Sequence, residues 1–258
     1  MIVNSKPERI QKILSVYGVT SRREAERMIP EGRIKINDIP AVLGQTAIVG
    51  VDDITIDGKP LPSLNKLYYI MLNKPRGYVT SMNDDLGRKV VTELVTDICD
   101  KTKLYPVGRL DINSEGLLIL TNDGKFANTI MHPRYGLTKT YEVHVRGDIN
   151  SAINKLKRPI EIDSQNNRSF SKNEVFTVKA VSVDLLKHSS NNAVIEIVIN
   201  EGRNKQVRKM CKFCGLDVLY LKRVAIGSVK LGNLPLGKWR HLSEAEIGAL
   251  SNNYRKVQ

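Results

Sequence analysis

Arg109 and Asp111 stand two residues apart in Val107-Gly-Arg-Leu-Asp-Ile-Asn-Ser-Glu-Gly116, a polar stretch that leads into the apolar run from Leu117 to Thr121. That run reads as a buried strand closed by the turn Asn122-Asp123-Gly124, so the stretch before it is a loop able to aim a carboxylate into a cleft. An aspartate there can be held ionised by an arginine and act as a nucleophile, or it can simply cap the turn. The local pattern leaves both readings open.

Two other stretches supply groups for the same chemistry. Thr138 to Val145 alternates as a strand with Tyr141, Val143 and Val145 on one face, which sends Tyr141 into the core or into a cleft at its edge. Between Asn200 and Gly215, Lys205, Arg208, Lys209 and Lys212 follow helical spacing, opposite Val207, Met210, Cys211 and Cys214. One face is cationic, with Arg203 just ahead of it, and the other is core. The Cys211-x-x-Cys214 spacing is not read as a metal or redox pair, because both thiols fall on the apolar face and no second pair exists. Cys99 is isolated, and His132, His144, His188 and His241 form no ligand spacing. An enzyme that acts on a base within folded RNA needs a cationic cleft, an aromatic platform and a reactive group at its floor. Arg208 with its neighbours, Tyr141 and Asp111 offer one of each.

Composition points to the same partner. The 258 residues carry a formal net charge of +13 and a pI near 9.6, ordinary for a protein that neutralises phosphates and extreme for a metabolic enzyme. No apolar run approaches the roughly 20 residues needed to span a bilayer, so no membrane partner is expected. The first residues lack a signal pattern and there are only three cysteines, which favours a cytoplasmic protein.

The elements that must carry these residues follow in chain order. Ile10, Ile13, Leu14 and Tyr17 mark a first helix ended by Gly18, and Ser21-Arg22-Arg23-Glu24 has the form of a capping box that opens a second. Arg22 and Arg23 fall in its first turn, where free amides already favour an anion; a solvated charged face is the alternative. Two short alternating strands follow, Gly32 to Asp38, which carries Lys35, and Asp53 to Gly58. Residues 1–62 thus form a small unit, 63–66 a linker, and 67–250 a larger α+β domain with a mainly antiparallel sheet. Leu67 to Leu72 begins that domain, and Asn73-Lys-Pro-Arg-Gly77 is a turn whose Lys74 and Arg76 either hold a phosphate or are solvated. Phe126 to Met131 is a short helix, 160–172 is irregular, and Val175–Val183, Val194–Ile199 and Val218–Ile226 are strands. Ser243-Glu-Ala-Glu246 caps a terminal helix with Ile247 and Leu250 inward, and 251–258 is read as a disordered tail.

Two resemblances are carried by these residues. The helix, Gly18-Val-Thr-Ser-Arg-Arg-x-Ala25 and Gly32-Arg-Ile-Lys-Ile-Asn37 resemble the S-four-type RNA-binding domain over about Pro7 to Pro62, which implies that Arg22 and Arg23 contact structured RNA. Gly108-Arg-Leu-Asp111 with Ser114-Glu-Gly-Leu-Leu118, Lys139-Thr-Tyr141 and Gly202-Arg-Asn-Lys-Gln-Val-Arg208 resemble the successive motifs of pseudouridine synthases, in the ribosomal-RNA branch typified by RsuA and RluB. The resemblance spans about Tyr69 to Leu242. It implies isomerisation of a uridine in ribosomal RNA, the large subunit favoured, without metal or cofactor, by a monomer acting on free or pre-ribosomal RNA. It further implies that Asp111 is the catalytic aspartate, Tyr141 the ring that stacks on a flipped uracil, Arg208 the partner of Asp111, and Leu221 the apolar wall. Arg109, Lys205, Lys209, Lys74 and Arg203 are then expected to contact substrate, and Arg22, Arg23 and Lys35 to hold RNA elsewhere. Lys157 to Asn173 departs from the family, with Arg158-Pro159 where a glycine-containing turn is usual. The competing readings are a non-catalytic RNA-binding or ribosome-assembly factor, against which an intact Asp111, Tyr141 and Arg208 argue, and an RNA methyltransferase, for which no glycine-rich cofactor turn is present.

Overall fold

The computed structural model describes residues 6–63, 66–98, 104–163 and 175–255. Cys99 and most of the divergent segment 157–173 lie outside them. The chain forms two compact units, a small one carried by the first 67 residues and a larger one carried by most of the chain from Tyr68 on.

The small unit runs β1 (Glu8–Arg9), α1 (Ile10–Val16), α2 (Arg22–Met28), β2 (Ile34–Ile36), β3 (Ile39–Pro40), β4 (Thr46–Ala47), β5 (Ile54–Ile56) and β6 (Lys59–Pro60). The Ser21 side chain caps α2 by accepting from the Glu24 amide at 3.2 Å, as the capping-box spacing predicts. Two-residue hairpins join β2 to β3 and β5 to β6. Their turns put Asn37 and Asp38, then Asp57 and Gly58, at positive φ, the conformation for which Asn, Asp and Gly are suited. Ile10, Leu14, Ala25, Ile34 and Ile54 pack into one small core.

The larger unit contains β7 (Tyr69–Lys74), β8 (Tyr105–Val107), β9 (Glu115–Thr121), α3 (Gly124–Met131), β10 (Lys139–Arg146), α4 (Ile149–Leu156), β11 (Ile160–Asp163) and β12 (Val175–Val178). It continues with β13 (Ser182–Ser189), β14 (Asn192–Ile199), α5 (Gln206–Phe213), β15 (Asp217–Ile226), β16 (Val229–Lys230), β17 (Trp239–His241) and α6 (Glu244–Arg255). Nine of these strands form one sheet in the order β13-β14-β10-β15-β9-β7-β17, with β16 beside β15 and β8 beside β9, and β11 pairs separately with β12. All pairings in the large sheet are antiparallel except β9 with β15, where Glu115 faces Lys222 and Gly116 faces Arg223. The mixed α+β fold expected from the sequence is present.

Several local readings change. The stretch from Val175 to Val183 is two strands with different partners, and residues 160–163 are a strand, because Ile160 and Ile162 face inward against β12. The helix α4 was not anticipated, although Asp148 caps it and Ile149, Ala152 and Leu156 bury one side. At the other end, α6 continues through residue 255, into the stretch read as a tail. Its capping box is reciprocal, Ser243 Oγ accepting from the Glu246 amide at 3.2 Å and Glu246 accepting from the Ser243 amide at 2.9 Å.

Candidate active site

The parallel pairing of β9 with β15 brings the Asp111 loop, which feeds β9, alongside the strand that carries Leu221. Gly116 makes the approach possible. Its φ is +107°, and a Cβ on it would lie 2.2 Å from the Arg223 carbonyl oxygen. No larger residue fits without moving one of the two strands.

The loop itself is held carbonyl by carbonyl. Thr80 donates its hydroxyl to the Leu110 oxygen at 2.7 Å and accepts from the Leu110 amide at 3.2 Å. The Asp111 oxygen accepts from the Ser114 amide at 3.0 Å, and the Ile112 oxygen from the Gly77 amide at 2.8 Å. Arg208, reaching over from α5, donates to the Asn113 oxygen at 3.0 Å. Lys74 closes the set from below, its ammonium donating to the carbonyls of Pro75 at 3.0 Å, Asp111 at 3.2 Å and Ser114 at 3.0 Å. A backbone so fully engaged has little freedom to relax, so it fixes the direction of the Asp111 side chain.

That side chain remains accessible, 31 % exposed, with Arg208 Nε 3.9 Å from its Oδ2. The pair is loose: the arginine orients the carboxylate electrostatically and leaves its oxygens free to meet another atom. Asp111 lines a cavity of about 610 Å³ together with Tyr141, Leu221, Arg109, Arg203 and Lys205. This size suits a single small ring system with its attached sugar. Tyr141 is 8 % exposed and pairs across β10 and β15 with Arg223, so both face the cavity from adjacent strands.

The sequence-derived set divides on inspection. Asp111, Tyr141, Leu221, Arg109, Arg203 and Lys205 share the cavity wall, and Arg208 braces the loop. Arg203 also pairs with Glu201 at 3.0 Å and lies over the Phe176 ring at 4.0 Å. Lys205, expected on the helix, precedes it at φ 50° and is exposed. Lys74 does not offer its charge to a substrate. It is fully buried, on a strand β7 that runs two residues past Leu72 into the stretch read as a turn, and burial pushes its pKa down to about 8 against the opposing pull of Asp111 and Glu115. Lys209 is likewise occupied, bonded to the Asp163 carbonyl and 3.4 Å from that residue's carboxylate, which ties α5 to β11. Arg22, Arg23 and Lys35 belong to the other unit, and all three are exposed there. Cys211 and Cys214 face the core, where burial pushes the Cys211 thiol up to about 12 and raises that of Cys214.

Comparison with known proteins decides the family. Residues 68–213 match RNA pseudouridylate synthase, and residues 8–42 match the S4 domain. The chain is 38 % identical to the ribosomal large subunit pseudouridine synthase B of Bacillus subtilis over 94 % of its own length and 95 % of that protein's. It belongs to the RNA pseudouridylate synthase family. An uncharacterised RNA pseudouridine synthase of Aquifex aeolicus is 42 % identical over 94 % of this chain and 93 % of that one. A crystal structure of a pseudouridylate synthase, 28 % identical, superposes with a TM-score of 0.62 over 94 % of this chain and 99 % of the other.

For a pseudouridine synthase, sequence reasoning missed four residues of this site. Thr80 fixes the loop from a segment read only as polar. Lys139 and Arg223 line the cavity, and Asn204 does so from the turn before α5. The signal for Arg223 was present: it stands two residues after Leu221 on one strand and therefore shares its face.

Proposed function

We propose that this enzyme converts a specific uridine of large-subunit ribosomal RNA to pseudouridine, with Asp111 acting as nucleophile on a uridine flipped out of its stack. The observation that carries the reading is Asp111 itself, a half-exposed carboxylate on an immobilised loop at the wall of a cavity shared with Tyr141 and Leu221. Those three supply what a flipped nucleotide requires: a reactive group, a ring to stack on and an apolar wall. The chemistry needs no redox partner. The bond from ribose C1′ to N1 breaks, the ring turns, and C1′ joins C5; the C5 hydrogen leaves as a proton and N1 gains one. The carboxylate engages the uridine while the bond to N1 opens, and Arg208, 3.9 Å from its Oδ2, orients it for that step. The large subunit is favoured because the Bacillus subtilis relative is named for it. On this reading the small unit holds structured RNA through Arg22, Arg23 and Lys35, and the protein works as a cytoplasmic monomer.

The test is a pseudouridine map of ribosomal RNA from a strain lacking the gene, restored with either the wild-type chain or Asp111→Asn. The wild type is expected to restore one or a few large-subunit sites, and Asp111→Asn none, while the purified variant still binds the RNA. Near-wild-type modification by Asp111→Asn would overturn the assignment.

A further inference from the structure

Among the cations that line the cavity, Lys139 is set apart by its surroundings. Arg109 and Lys205 are exposed, and Arg203 is paired with Glu201. Lys139 is half-buried and, among the described residues, makes no hydrogen bond or ion pair. It opens β10, a strand in the middle of the sheet, where Ile199 of β14 and Ile226 of β15 flank it in register. Directly opposed residues share a face, and both isoleucines line the cavity too, so the wall around the ammonium is apolar. Tyr141 stands two residues on, on the same face and about 7 Å along the strand. The charge beside that ring is not balanced. Arg223, opposite Tyr141, donates its Nε to the neutral Leu117 carbonyl and forms no ion pair among the described residues. The carboxylate that attracts Lys139 is that of Glu201, already held by Arg203 at 3.0 Å and by Gln206 at 3.1 Å. Burial, and after it the charge of Arg223, lower the Lys139 pKa against that attraction. The wall therefore carries positive charge whose desolvation costs free energy and which an anion would offset.

A flipped nucleotide brings two kinds of anion. Its flanking phosphates are ionised throughout and stay hydrated, which suits exposed cations such as Arg109 and Lys205. Its uracil ring enters neutral and becomes an anion only as the C1′–N1 bond opens, when the bonding pair stays with N1 and spreads onto O2 and O4. A half-buried ammonium next to the ring platform matches the second. We propose that Lys139 stabilises this departing uracil anion, its ammonium donating to a ring carbonyl oxygen as the negative charge forms. Lys139 keeps its proton throughout; the ring's charge is discharged when C1′ joins C5, the C5 hydrogen leaves as a proton and N1 gains one. The proposal rests on the cavity's being the site of the flipped uridine and adds a catalytic group to it. A donor placed where charge develops, with water largely excluded, favours the transition state over the bound substrate, so its effect falls on rate and not on affinity.

The test uses a synthetic RNA stem-loop spanning a uridine that the wild-type enzyme modifies; pseudouridine formation by the wild type checks the functional reading by itself. Lys139→Met keeps most of the stem and removes the charge. It is expected to bind that RNA within about twofold of the wild type and to lose about a hundredfold or more in single-turnover rate at saturating enzyme. Lys139→Arg retains the charge and is expected to recover part of that rate. In Lys139→Ala, added ethylammonium is expected to raise the rate in a saturable way, whereas tetramethylammonium, a cation with no N–H to give, does not. This second readout serves if methionine is not tolerated. A residue that only braced the sheet would lower the rate with neither rescue. A contact to phosphate would instead weaken binding, flatten the slope of log affinity against log salt by about one unit and leave the saturating rate near wild type. Either of those patterns overturns the proposal.

Discussion

Lys74 shows how a residue can serve a site without touching its contents. Its three N–H groups meet three carbonyls, two of them in the Asp111 loop and 37 and 40 residues away in sequence. A neutral amine has only two N–H groups to give, so deprotonation leaves one of those carbonyls without its donor. Burial holds the Lys74 pKa down to about 8, well below the 10.5 of a free lysine, with Asp111 and Glu115 the acidic groups that oppose the shift. The folded protein therefore loses this proton at a lower pH than a free lysine would, and the loop loosens before the chain unfolds. A fall in kcat between pH 8 and 9, with KM for the RNA little changed, is the expected signature. Lys74→Met lacks the proton at every pH; its kcat is expected to be low and flat across the same range. An alkaline limb that survives in Lys74→Met would assign the fall to another group.

The element that organises the site is the parallel pairing between β9 and β15. It stands Gly116 against Arg223 and so sets the loop ahead of Gly116 beside the cavity wall formed by Leu221. Gly116→Ala must push the two strands apart or force an alanine to a φ of +107°, at a cost of about 1–3 kcal/mol. The variant should melt a few degrees lower and lose activity out of proportion, because the displaced atoms are those that aim Asp111. An unchanged kcat with a lowered melting temperature would separate the strand contact from the catalytic loop. Alternation and capping spacing in the sequence revealed β10, β15, α2 and α6, since those signals are local. The β9–β15 contact was not legible in that way, being a pairing between residues more than a hundred positions apart. The convergence of Asp111, Tyr141 and Leu221 was read through family motifs. Lys74 was misread because Asn-Lys-Pro-Arg-Gly looks like a solvated turn when the carbonyls waiting beneath it are out of sight.

At the scale of the molecule, a net charge of +13 has to be divided between gripping RNA and building the protein. In the larger unit Lys74 and Lys209 are spent on carbonyls, and Arg203 and Arg240 on carboxylates, so a count of basic residues overstates the charge left for phosphate. In the small unit Arg33 is committed to Asp57 at 2.8 Å, and Arg27 to Glu24, whereas Arg22, Arg23 and Lys35 stand exposed. Contacts between exposed cations and phosphates release counterions, and each is expected to contribute roughly one unit to the slope of log affinity against log salt. Arg22→Ala with Arg23→Ala should therefore weaken binding to ribosomal RNA at low salt and flatten that slope by about one to two units. Its kcat at saturating RNA should stay near wild type, since neither residue belongs to the unit that carries Asp111. Filter binding across a salt series, with single-turnover rates at saturation, reads both quantities. An unaltered slope would remove Arg22 and Arg23 from the RNA contact, and a fallen saturating rate would mean that the small unit does more than hold the substrate.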